Sequence, residues 1–139
     1  MTTLPKRFQN QSAFLLQHRP YSETSLLVDL FAEKSGRITA IAKGARRLKS
    51  SYRGVLLPFQ PLSVRFTGKG DVKTLTGAEP VRLRIILSRD HLMCGFYLNE
   101  LIIKMLYRYD PYETLYPVYE RALDELAHKS DAEFTLRRF

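Results

Sequence analysis

Near Ser88 the spacing of apolar residues changes, and that change limits what this chain can fold into. Before it, apolar residues come in short alternating runs cut by Gly and Pro, as strands joined by tight turns require. After it, they recur at spacings of three and four, the period of a helix. A chain of 139 residues with 45% hydrophobic content buries one real core and hardly two independent ones. The expectation is one β domain with a partial or packed helical unit, divided as residues 1–82 and 83–139.

Ser12 to Gln17 reads as strand one, ended by His18-Arg19-Pro20, where the proline lacks a donor for the ladder. Ser25 to Phe31 and Arg37 to Ala42 form a hairpin across Glu33-Lys34-Ser35-Gly36, with Ile38, Ala40 and Ala42 on one face. Pro61 opens Leu62-Ser63-Val64-Arg65-Phe66-Thr67, which puts Leu62, Val64 and Phe66 on one face and Arg65 on the other. The Gly68-Lys69-Gly70-Asp71 turn leads into Val72-Lys73-Thr74-Leu75-Thr76, leaving Lys73 and Arg65 for a wet or ligand-facing surface. Five short strands in this length match a five-stranded OB-type barrel better than a seven-stranded sandwich, although an SH3-like barrel has a similar pattern.

From Ser88, a plausible N-cap, Leu92 through Tyr109 reads as a helix apolar around most of its circumference, stopped by Asp110-Pro111. Burial on several sides is the expectation. Leu115 to Ala127 reads as an amphipathic helix with Pro117 in its first turn and Glu120, Arg121, Asp124 and Glu125 outside. Ser130-Asp131-Ala132-Glu133 reads as a capping box, and the short helix Phe134 to Phe139 that follows reads as cut. Its exposed face predicts association between copies.

Charge is distributed unevenly between these halves. Residues 1–89 hold sixteen Lys/Arg against five Asp/Glu, a net of +11, whereas residues 90–139 hold six against nine, a net of −3. The excess gathers between Lys43 and Arg53, where five cations fall within eleven residues with no acid among them. Gly44, Gly54, Ser50 and Ser51 and the lack of any apolar period predict an exposed, flexible loop suited to a polyanion, with a solvated charge run as the alternative.

Catalytic chemistry finds little support. One Cys and three His, at 18, 91 and 128, show no paired spacing for a metal, and neither a nucleophile-elbow Gly-x-Ser-x-Gly nor a Walker-type phosphate loop occurs. The single Cys excludes an internal disulfide, which fits the cytosol, and Cys94 lies in an apolar helical pattern and reads as an inert buried thiol. Glu23 and Asp29 read as structural carboxylates and His18 as a surface group. No apolar run approaches a membrane span, and the N-terminal Lys6-Arg7 has no hydrophobic region after it, so a soluble protein without a secretory signal is expected.

An ordered set of motifs then invites comparison: His18-Arg19-Pro20-Tyr21-Ser22-Glu23-Thr24-Ser25, Leu30-Phe31, Gly36-Arg37, Lys43-Gly44-Ala45-Arg46, Leu57-Pro58-Phe59, and Leu75 with Ala78-Glu79. Tyr97-Leu98-Asn99-Glu100-Leu101 and Leu136-Arg137-Arg138-Phe139 extend it through the helical part. The set resembles the DNA repair protein RecO family, the bacterial recombination mediators. The resemblance implies an α+β protein: an N-terminal five-stranded OB-fold barrel followed by an α-helical domain, here incomplete. The family's later helices, and the cysteine cluster some members place there, lie beyond the residues present.

The resemblance further implies a non-enzymatic cytoplasmic protein of bacteria, associated with the nucleoid. It implies binding of single- and double-stranded DNA, annealing of strands coated by single-strand-binding protein, and RecA loading with RecR. No cofactor is implied. Phosphate contacts are expected at Lys43, Arg46, Arg47, Lys49 and Arg53, secondary contacts at Arg37, Arg65, Lys69 and Lys73, and base stacking at Tyr52. Tyr21 and Phe59, next to prolines, read as core, with stacking as the alternative. Arg137 and Arg138 match a basic pair that in the family receives the acidic tail of single-strand-binding protein. An OB-type RNA- or ribosome-binding module and a non-catalytic adaptor are the alternatives.

Overall fold

The computed structural model describes residues 7–106 and 114–128, and side chains from residue 10 onward. Five strands, β1 (Arg7–Tyr21), β2 (Ser25–Ala32), β3 (Gly36–Ala42), β4 (Leu62–Thr67) and β5 (Val72–Pro80), precede two helices, α1 (Arg89–Met105) and α2 (Leu115–His128). The strands close into a barrel in the order β1-β2-β3-β5-β4, in which β3 and β5 run parallel through Thr39–Val72, Ala40–Lys73 and Ile41–Thr74. Every other pairing is antiparallel. This is the five-stranded OB-type architecture.

β1 is much longer than the Ser12–Gln17 expectation, and Pro20 lies within it, opposite Leu26. The proline is tolerated because β4 pairs with β1 only as far as Ala13, so beyond it a single strand neighbour makes demands on the backbone. Register shifts between Phe8 and Gln11 and between Leu15 and Gln17 bend β1, as a strand shared around a closed barrel must bend. β5 also runs past Thr76 to Pro80.

The barrel interior is narrow and filled accordingly. Ala13, Ala32, Ala40, Ala42 and Ala78 alternate with Leu15, Leu30, Ile38, Leu62, Val64, Phe66 and Leu75, all buried. The opposite face of β1 and β2 forms a second core. Phe14, Leu16 and Phe31, with Phe59 and Ile85, pack against Leu98 and Ile102 of α1 and Tyr116, Tyr119, Leu123 and Leu126 of α2. Phe14 and Phe31 meet Tyr119 edge-on at centroid distances of 5.2 and 5.5 Å, and such pairs contribute about 0.5–1.5 kcal/mol beyond their area.

Polar groups fix this docking. Asn99, 2% exposed, donates to the Leu16 carbonyl at 3.4 Å and accepts from the Tyr119 hydroxyl, joining β1, α1 and α2 at one point. Burial pushes the Tyr119 and Tyr116 hydroxyls far above the ordinary tyrosine range. Phe59 adopts φ 66°, a left-handed conformation costing an aromatic residue about 1–2 kcal/mol, and is held there with its ring in the helical core and its carbonyl accepting from Ile85 N–H at 3.0 Å.

Ser88 stands at the N-cap of α1 but makes no side-chain cap; its carbonyl accepts from His91 and Leu92 N–H. The helix ends at Met105, earlier than expected. Contrary to the sequence expectation, α1 is covered on one side only among the described residues: Met93, Tyr97 and Met105 are 75%, 54% and 69% exposed. Cys94 is half-buried against the second core. α2 and its early Pro117 match the reading, while Asp110-Pro111 and everything read after Lys129 lie outside the described residues.

Two substitutions test this docking. A Cβ on Gly95 would sit 2.5 Å from Leu87 Cδ1 and 2.7 Å from Phe59 Cζ. Overpacking of about 1–3 kcal/mol outweighs the helix-propensity gain of about 1 kcal/mol, so Gly95→Ala destabilises in urea titration. Tyr119→Phe removes the donor to the buried Asn99 oxygen and lowers unfolding free energy by about 1–3 kcal/mol.

Candidate nucleic-acid interface

The β3–β4 connection begins where Gly44, at φ 69°, turns the chain away from the barrel wall. It runs as a series of hydrogen-bonded turns. Successive turns run through Arg47 N–H to Gly44 O, Ser50 N–H to Arg47 O, Arg53 N–H to Ser50 O and Val55 N–H to Tyr52 O, at 3.0 to 3.2 Å. Ala45 and Leu56 are buried in the barrel core, with Tyr52 and Val55 packed against it. These anchors make the connection a cap on the barrel. The cations beside and between them, Lys43, Arg46, Arg47, Lys49 and Arg53, are all turned to solvent.

One of the five is occupied. Arg46 Nε donates to Ser25 O at 3.2 Å, and its Nη2 donates to Ser22 O at 2.8 Å and to Glu23 O. Its own N–H donates to Thr24 O at 2.8 Å. Arg46 therefore clamps the β1–β2 turn onto the basic loop. The side chains of Lys43, Arg47, Lys49 and Arg53 make no hydrogen bond or ion pair among the described residues, which leaves four positive charges for an anion.

Three expected contacts are corrected. Arg37 lies under the helical part, its side chain 14% exposed, donating to Leu106 O at 3.1 Å and facing Asp29 at 3.8 Å. Asp29 also accepts from Gln17 at 2.8 Å and Thr39 at 2.6 Å, so its carboxylate is structural, as read. Lys73 points inward with Leu75, 7% exposed, and donates to Gly68 O at 3.2 Å. Tyr52 is no free stacking platform: its ring packs on the barrel and its hydroxyl donates to Leu75 O at 3.2 Å. Burial raises its pKa, partly offset by the charge of Arg65.

Arg65 is exposed, and its guanidinium lies over bare Gly77, where a Cβ would stand 2.1 Å from Nη2. Lys69 is exposed on the β4–β5 turn, away from the basic loop, since Val72 pairs with Thr39 and not with the end of β3. Arg137 and Arg138 lie outside the described residues. Sequence reasoning assigned Phe59 correctly to a core but missed Tyr21, which is 46% exposed at the end of β1. The polar cluster Ser22-Glu23-Thr24-Ser25 behind it was the available signal that the strand ends in a surface turn.

No helix among the described residues is long and apolar enough to cross a membrane. A DNA repair protein RecO from Haemophilus influenzae is 50% identical over 129 residues, covering 93% of this chain and 55% of the relative. One from Photobacterium profundum is 46% identical with the same coverage, and one from Ralstonia nicotianae is 47% identical over 96% of this chain and 49% of its own length. This chain thus spans about half the length of the curated relatives it matches. The model of the recombination protein O N-terminal domain matches residues 7–84 and that of the C-terminal domain residues 87–139. With both models matched in order along nearly all of its length, the chain belongs to the recombination protein O (RecO) family.

Proposed function

We propose that this chain is the DNA-handling part of a recombination mediator. It binds single- and double-stranded DNA through the capped end of the barrel, and it anneals complementary strands coated by single-strand-binding protein. With RecR it helps RecA load, in the bacterial cytoplasm and without catalysing bond chemistry. The observation that carries this reading is the group of four solvent-facing cations, Lys43, Arg47, Lys49 and Arg53, held out from the barrel by the apolar anchors Ala45, Tyr52 and Leu56.

Annealing requires two polyanions to approach, and cations on an ordered loop lower that barrier by neutralising phosphates. Phosphate contacts carry no sequence information, which suits a mediator that must act on any sequence. Arg65 extends the patch, whereas Arg37 and Lys73 play no part. Arg137 and Arg138 are the proposed acceptors of the acidic tail of single-strand-binding protein.

Fluorescence anisotropy of a labelled single strand across a salt series tests the reading. Four phosphate contacts give a log–log slope near about −2.8, and changing Arg47, Lys49 and Arg53 to Ala flattens it by about 2. Unchanged affinity and slope in that variant would remove DNA from this loop.

A further inference from the structure

Beside the basic loop lies an open groove of about 530 Å³, within the size range of small-ligand clefts. It is lined by Tyr21, Ile41, Lys43, Gly44 and Arg47, with the hydroxyl-bearing Ser22, Thr24 and Ser25. Building on the proposed nucleic-acid function, we infer that this groove takes one unpaired nucleotide, its base stacked on Tyr21 and its flanking phosphates on Lys43 and Arg47.

Tyr21 differs from the other aromatic residues of the barrel whose side chains are described. Phe14, Phe31, Phe59 and Phe66 are fully buried and Tyr52 is partly packed, yet Tyr21 is 46% exposed where β1 meets its turn. An aromatic ring left open beside two cations is the combination that single-strand binders use, because every base has a π-face and every nucleotide a phosphate.

The groove is ordered before any ligand arrives. Arg46 bonds the carbonyls of Ser22, Glu23 and Ser25, and Gly44 N–H donates to Ser25 Oγ at 3.3 Å. Those bonds fix the turn that follows Tyr21 to the loop that bears Lys43 and Arg47, which reduces the ordering cost of binding. They also occupy three carbonyl oxygens that would otherwise oppose a phosphate. Among the described residues no carboxylate lines the groove; Glu23, exposed on the same turn, stands outside the lining.

The arrangement separates the two forms of DNA. Bases in a duplex are stacked on both faces and offer nothing to Tyr21, while Lys43 and Arg47 meet phosphates in either form. Tyr21 is then the determinant of single-strand preference within a surface that binds both.

The test uses this chain with three labelled probes: oligothymidylate, an abasic strand of equal phosphate number, and a duplex. Tyr21→Ala should weaken oligothymidylate binding roughly 5- to 100-fold, with an unchanged salt slope, and leave the abasic strand and duplex unaffected; Tyr21→Phe should match the parent. The unsubstituted chain should itself prefer oligothymidylate to the abasic strand. Equal binding of those two strands, or no effect of Tyr21→Ala, overturns the stacking inference and leaves phosphate binding standing. Absence of binding to every probe overturns both readings. Should Tyr21→Ala fail to fold, photocrosslinking of a 5-iodouracil strand to the unsubstituted chain decides: a Tyr21 adduct supports the inference, and adducts confined elsewhere overturn it.

Discussion

The structure depends on β1 serving two cores at once. Ala13 and Leu15 point into the barrel while Phe14 and Leu16 point out onto the helices, so one stretch of backbone closes the first core and founds the second. Burying both faces of a strand requires consecutive apolar residues, and Ala13-Phe14-Leu15-Leu16 provides them. The helical part is thereby tied to the outer face of β1 and β2. Asn99, bonded to Leu16 and Tyr119, ties it at one registered point.

That placement decides where a ligand has room. With the outer face around Phe14 and Phe31 covered, the turn end of the barrel is left to the β1–β2 turn and the β3–β4 loop. The loop's apolar anchors plug the barrel, and its cations are forced outward because the interior has no partner for them. Arg46 then binds loop to turn. Charge that would be a loose run on a flexible segment is presented instead on a fixed surface beside an open tyrosine.

Much of this was legible in the sequence, because alternation reports burial directly. Ile38, Ala40 and Ala42 of β3 and Leu62, Val64 and Phe66 of β4 fall inside as their spacing requires. Lys73 was misread by residue type, although its spacing of two from Leu75 put both on one face. The burial of Arg37 and the clamp made by Arg46 were hidden for another reason: their partners are backbone carbonyls 69 and 21 to 24 residues away, and no local pattern encodes such a bond. Tyr52 shares the loop with the anchors Ala45 and Leu56, seven and four residues away, a spacing that matches its packing. α1 reads as apolar all round, and the described residues cover only one of its faces.

The central claim is that nucleic acid lies across the clamped turn and loop. Hydrogen exchange of this chain, free and saturated with a single strand, tests it most directly. The account predicts slowed exchange in residues 22–25 and 43–54, with α2 unchanged. Slowing confined to α1 and α2, with the turn and loop unaffected, would contradict it.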